Sequence, residues 1–505
     1  MLVARAATRD ECGVTPCRAS RSRTRWTRVP RARHVVARGV SLDEASEEAH
    51  IHLSVVARVP GAHAGAVLAL AALDDPDPNA RFPWFVSTSV DGTVSTWHVE
   101  ERGAGGIELV RDASFGDDDA PWWCLAVDDE WLFAGTHGRK VKVRLAVDAD
   151  LETLPGAIAN HTGWVRALAF VRKTPRELER AVRNAVRVRK ASLRNLRKAG
   201  ASAAANDAPP PPTTGDTWRF SAACNVVRVW QDSFAFDEDD EVYEYGGAVA
   251  DVGSARIFTG DILCLAGVRA SRNGDRFLIA GVADGTVRGW RVCEGPNGTC
   301  DAPVMLPIVA NGIAEEESLV TSHETNPKSA AFADLRGGRV AALFPLSDAF
   351  PDDDVLSRFV VAGCRDGTLG CVDAETLSVS PRIAAHERRR EDAFQTRRTK
   401  GVACVCAGPK NTVASGGDDG IVRLWRPRVR CSTNTHTCVV LEPAGDTVCP
   451  DVFVPTRSHG DRAAPSKKKK NGTRCLCAVR DKRSGECFGA LAGDEAGGLA
   501  LYAAS

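Results

Sequence analysis

His63, Ser87 and Asp91 are the residue types of a nucleophilic triad: an imidazole to take a proton, a hydroxyl to lose it, and a carboxylate to orient the ring. Poorer versions recur as His161 with Ser221, and as Ser415 with Asp419. Each group ends on a tryptophan, at Trp97, Trp230 and Trp425. No other motif points to catalysis. The chain has no Gly-x-Ser-x-Gly elbow, no His-Glu-x-x-His helix and no phosphate loop. No cofactor, metal site or catalytic residue is therefore implied. The elements that carry these side chains decide what the triad-like sets are for.

Those elements are repeated hairpins. Asp91-Gly92 runs to Trp97, Asp284-Gly285 to Trp290 and Asp419-Gly420 to Trp425, always with the same offset, and Asp366-Gly367 reaches Val372. Asp-Gly between strand-like runs is a strong hairpin signal, because turn residues there adopt positive φ. Weaker copies end on Arg144, Trp230 and Tyr502, which brings the number to seven. Upstream of each lies a short strand with small residues around an apolar one, such as Ala69-Leu70-Ala71, Cys264-Leu265-Ala266 and Cys475-Leu476-Cys477. Alternate positions share a strand face, so small residues there suit an innermost strand crowded around an axis. Two signatures recurring in one order indicate a propeller or another repeat array.

These residues resemble the WD-repeat family, whose blades are four-stranded antiparallel sheets set around a channel. The resemblance spans roughly residues 50–505. It implies that His63, Ser87, Asp91 and Trp97 form a buried structural hydrogen-bond network rather than a catalytic site. Partial networks are implied at His161, Ser221 and Trp230, where Cys224-Asn225 replaces Asp-Gly, and at Ser415, Asp419 and Trp425. His386 sits too far upstream to assign. The Trp-Asp dipeptide itself is absent: His98, Gln231, Arg291 and Arg426 follow the four tryptophans. In HTGWVRALAF the resemblance places Trp164 and Arg166 near the upper rim, where family members bind peptides, which makes them the candidate partner-binding residues.

The expected architecture is all-β: a seven-bladed β-propeller closed by an N-terminal strand, with one basic helical insertion in blade three. The last copy ends on its third strand, and residues 51–59 supply the missing outer strand, removing an exposed sheet edge. The propeller occupies 50–505 and includes the insertion 172–216. There Thr174-Pro175-Arg176-Glu177 reads as a helix start before an Arg/Lys-rich amphipathic run. Residues 1–45 form a basic extension, Arg-rich with Asp10 and Glu11 its only acids before residue 41, and read as an organellar transit peptide, plastid ahead of mitochondrion; cytoplasm or nucleus is the alternative.

Balanced charge, 65 basic against 65 acidic residues, gives no global pull toward nucleic acid or membrane, and no apolar run is long enough to span a bilayer. Of the 17 cysteines, those in the inner strands read as small core hydrophobes. Cys293/Cys300 and Cys431/Cys438 have a spacing compatible with disulfides, without fixing them.

The resulting functional expectation is a non-catalytic scaffold for protein–protein interactions in a larger complex, itself a monomeric propeller. Two alternatives stand beside it. One is a substrate receptor of a cullin-type ubiquitin ligase, from the partial docking motif Trp425-Arg426-Pro427-Arg428. The other is an RNA-associated propeller, in which 172–198 engages RNA or an acidic partner.

Overall fold

The computed structural model describes residues 50–504 apart from 74–78, 104–105, 118–119, 129–130, 146–150, 159–160, 174–216, 231–233, 238–241, 246–247, 253–259, 271–273, 294–302, 310–311, 314–331, 336–337, 387–400, 432–436 and 446–470. The basic extension and the expected helix of the insertion lie outside the described residues, as do the side chains of Trp230, Cys300 and Cys431.

Seven antiparallel sheets follow one another along the chain. Their inner strands are Val67–Leu73, Trp122–Asp128, Val165–Arg172, Ile262–Arg269, Val340–Pro345, Val402–Gly408 and Thr473–Arg480. Each inner strand neighbours the next, and the seventh neighbours the first, so the sheets close into a ring of seven blades. Blade three carries an extra hairpin, Phe234–Asp237 with Val242–Tyr245. Two short 3-10 turns, Leu346–Asp348 and Leu356–Arg358, lie in blade five.

The N-terminal strand Leu53–Val59 pairs antiparallel with the last strand, Leu499–Ala504, and is the outer strand of blade seven. This clasp has further ties. The Ile51 N–H donates to Ala444 O of blade six at 3.0 Å. Arg81 of blade one donates to Asp481 of blade seven at 2.7 Å, beside the Phe82 and Phe488 rings at 5.0 Å.

Each turn between second and third strands holds a positive-φ residue. It is glycine in five blades (Gly92, Gly285, Gly367, Gly420, Gly497), Arg139 in blade two and Cys224 in blade three. The preceding aspartate caps the turn: Asp91, Asp284 and Asp366 each accept from the backbone N–H two residues on, at 2.8–3.0 Å, and from the following Thr hydroxyl.

The inner-strand cysteines pack between blades. Cys124, Cys264, Cys404 and Cys475 pair across the sheet with Gly135, Gly281, Gly416 and Gly493. The missing Cβ is what makes room for the sulfur: a methyl on Gly281 would lie 2.5 Å from Cys264 Sγ and 2.7 Å from Val340 Cγ1 of the next blade. Burial pushes the Cys124 thiol up to about 12, so these thiols are unreactive packing groups.

Candidate functional site

The triad-like residues are brought together, but in a sealed arrangement. In blade one the Trp97 indole N–H donates to Ser87 Oγ at 2.7 Å, and Ser87 Oγ lies 2.7 Å from His63 Nε2. His63 Nδ1 lies 2.6 Å from Thr93 Oγ1, which reaches Asp91 Oδ1 at 2.6 Å. A carboxylate can only accept, so Thr93 gives its proton to Asp91 and His63 donates to Thr93 from Nδ1, while the indole donates to Ser87. Burial pulls the His63 pKa below its ordinary value, Asp91 opposes the fall and Arg111 adds to it. Burial would raise the Asp91 carboxyl, yet bonds from Thr93, Ala64 and Gly65 bring it down to about 2. Asp91 therefore acts on His63 through Thr93, a residue the sequence reading did not single out.

Blade six assigns His386. Despite its position far upstream, its Nε2 lies 2.8 Å from Ser415 Oγ and its Nδ1 2.9 Å from Asp419 Oδ1, while Trp425 Nε1 donates to Ser415 Oγ at 2.8 Å. The set is complete. Burial alone would raise the Asp419 carboxyl, but His386 and Arg423 hold it well below the usual carboxylate range. In blade three His161 Nε2 meets Ser221 Oγ at 2.7 Å. Ser87, Ser221 and Ser415 are all 0% exposed. In blades one and six a hydroxyl engaged by an indole on one side and an imidazole on the other has no path to a substrate, so these two sets serve the structure of their blades.

Exposed chemistry lies on the face that carries the hairpin turns. The first residue of each inner strand pairs with the end of the second strand, as in Val67↔Ser89, Trp122↔Thr136 and Val165↔Ala223. Turns and inner-strand starts therefore share one face. All seven inner strands carry a register shift at their second residue. These residues are Leu68, Trp123, Arg166, Leu263, Ala341, Ala403 and Arg474, each half-buried. Bulges re-aim side chains, and here they set one residue per blade around the mouth of the channel.

At blades two and three this produces a cluster. Trp123 and Trp164 stack with centroids 5.5 Å apart and planes 9° from parallel. Arg166 lies over both rings, at 5.6 and 5.3 Å, and His137 packs on Trp164 at 4.6 Å. Trp164 remains 40% exposed. The two candidate partner-binding residues are thus in contact, joined by Trp123 and His137, which sequence reasoning missed. The doublet Trp122-Trp123 at an inner-strand start was the available signal.

Among the described residues, no group of three or more His, Cys, Asp or Glu is placed to hold a metal ion, and no helix is long and apolar enough to cross a membrane.

The WD domain, G-beta repeat family model matches residues 393–426, which include the second strand and turn of blade six. Comparison with curated proteins by sequence gives no match. Solved structures similar to this chain include the RRP9 WD40 repeats, 13% identical over 90% of this chain and 100% of that one with a TM-score of 0.47. Another is U3-55K, 14% identical over 89% and 98% with a TM-score of 0.45.

Proposed function

We propose that this seven-bladed propeller, which carries a WD-repeat match over residues 393–426, is a non-catalytic scaffold that joins other proteins into a larger complex. Function in such a ring resides in the side chains its faces present rather than in the fold. The observation that carries this reading is the half-exposed Trp123–Trp164–Arg166 cluster on the turn face. Trp and Arg are enriched at interface hot spots, and their stacking presents them already ordered. The test is affinity purification of the full chain beside its Trp164→Ala/Arg166→Glu variant and beside a deletion of 172–212. Partners lost with the rim variant alone support the scaffold reading at this rim. Partners indifferent to the rim and lost with the deletion move the function to the insertion, and RNA recovered there with steep salt dependence selects the nucleic-acid alternative. We also propose residues 1–45 as an organellar targeting segment, for which a mature N-terminus near residue 40 is the expected finding.

A further inference from the structure

We infer that the partner segment bound at the rim of blades one to three is an acidic peptide, with a carboxylate set against Arg166 and an apolar side chain on the exposed part of Trp164. This rests on the scaffold reading above. The first observation is that the cation seat of the aromatic pair is already filled. A ligand ammonium or guanidinium would sit over a ring face, and the Arg166 guanidinium lies over both Trp123 and Trp164. A methylated lysine or an arginine from the partner would have to displace it.

The second observation is how Arg166 is held. Several of the ring's cations are fixed by acids: Arg219 by Asp128 at 2.6 Å, Lys142 and Arg144 by Asp117 at 2.6 and 3.0 Å, Arg474 by Glu495 at 2.6 Å. Arg166 lies over aromatic rings and has no carboxylate partner among the described residues. A guanidinium directs its N–H donors in its own plane, the geometry that takes a carboxylate bidentately.

On the side toward blades two and one the charge and apolarity agree, while exposed Asp261 lies on the blade-four side. The turn that brings His137 onto Trp164 also carries exposed Arg139. Asp91, the nearest turn acid on blade one, has both oxygens engaged by Ala64, Gly65 and Thr93. The surface is continuous toward blade one: a Cβ on Gly92 would meet Ala120 at 3.4 Å, and His137 N–H donates to Pro121 O. Val90, 52% exposed, ends that arc. A peptide fits better than single-stranded RNA. A nucleobase stacks on a ring face, whereas the Trp164 ring is already met by Trp123, His137 and Arg166.

The test uses the purified full chain and short fluorescent peptides matched in apolar content but acidic, neutral or basic, with an oligouridylate as the nucleic-acid probe, read by anisotropy. Acidic peptides are expected to bind best and to weaken with added salt. Arg166→Glu should weaken them about tenfold or more, a loss of about 1.4 kcal/mol, with Arg166→Lys intermediate. Arg139→Glu, on an exposed turn, keeps the test valid if Arg166→Glu fails to fold, and should also weaken the acidic set. Equal binding of basic peptides, acidic binding unmoved by either charge reversal, or tighter binding of the oligouridylate overturns the inference. Co-purified proteins that still depend on Trp164 while no acidic peptide binds overturn this inference alone; co-purified proteins that ignore the rim overturn the scaffold reading at this rim as well.

Discussion

Replacing Ser415 by alanine removes one oxygen and leaves two buried polar groups without their partner. Ser415 is 0% exposed and its Oγ lies 2.8 Å from both Trp425 Nε1 and His386 Nε2. An unsatisfied buried donor or acceptor costs about 1–3 kcal/mol, so Ser415→Ala should destabilise the ring by about 2–4 kcal/mol, the indole and the imidazole each contributing. The assay is urea unfolding followed by tryptophan fluorescence, with the transition checked for intermediates because a repeat ring can lose a blade before it unfolds globally. Trp425→Phe should be costly as well. The double variant should cost less than the sum of the two, since removing both members of a hydrogen bond leaves fewer groups unpaired. An Ser415→Ala variant within about 0.5 kcal/mol of the parent, the range of an ordinary surface change, would refute the hydrogen-bond chain as a source of stability.

Three further outcomes follow from the same geometry. The folded ring holds His63 below its ordinary pKa of 6.5, so the unfolded chain binds the extra proton first; His63 then contributes stability above pH 6.5 that is lost as pH falls below it, and urea midpoints should decline from pH 7 toward 5 and less steeply in His63→Gln, with a flat profile counting against the neutral ring. Asp91, held at about 2 against 3.8, acts in a lower window, its contribution being lost as pH falls from about 4 through 2. Gly281→Val would force a side chain into the Cys264–Val340 contact, and a loss of about 1–3 kcal/mol or failure to fold is expected, whereas Gly485, with nothing within 4 Å of its would-be Cβ, should tolerate alanine apart from its backbone cost. Deleting residues 50–59 opens blade seven along Leu499–Ala504, so light scattering should show concentration-dependent association; a monomeric deletion as stable as the parent would contradict the clasp.

The propeller was legible because its hairpins are local. Ser87 to Trp97 and Ser415 to Trp425 are each 10 residues apart, a separation fixed by two paired strands and a short turn. The histidines are not local. They reach their serines across 24 residues in blade one, 60 in blade three and 29 in blade six, because the segment between them passes through an entire inner strand and its loops. Position along the chain therefore left His386 unassigned, and only the fold shows it bonded. Thr93 was missed for a different reason. The run Asp91-Gly92-Thr93 repeats at Asp284-Gly285-Thr286 and Asp366-Gly367-Thr368, yet the Thr serves the turn in all three and meets a histidine in blade one. The Trp123–Trp164 stack joins neighbouring blades through a bulge, and strand alternation gives no sign of where such a residue points.

The central claim is that partners engage the turn face at blades one to three. Hydrogen exchange of the full chain, alone and bound to a co-purified partner, tests it most directly. Protection on binding should concentrate in residues 88–93, 120–124, 136–140 and 161–166. Protection confined to the opposite ends of the strands, or to blades five and six, would contradict the account.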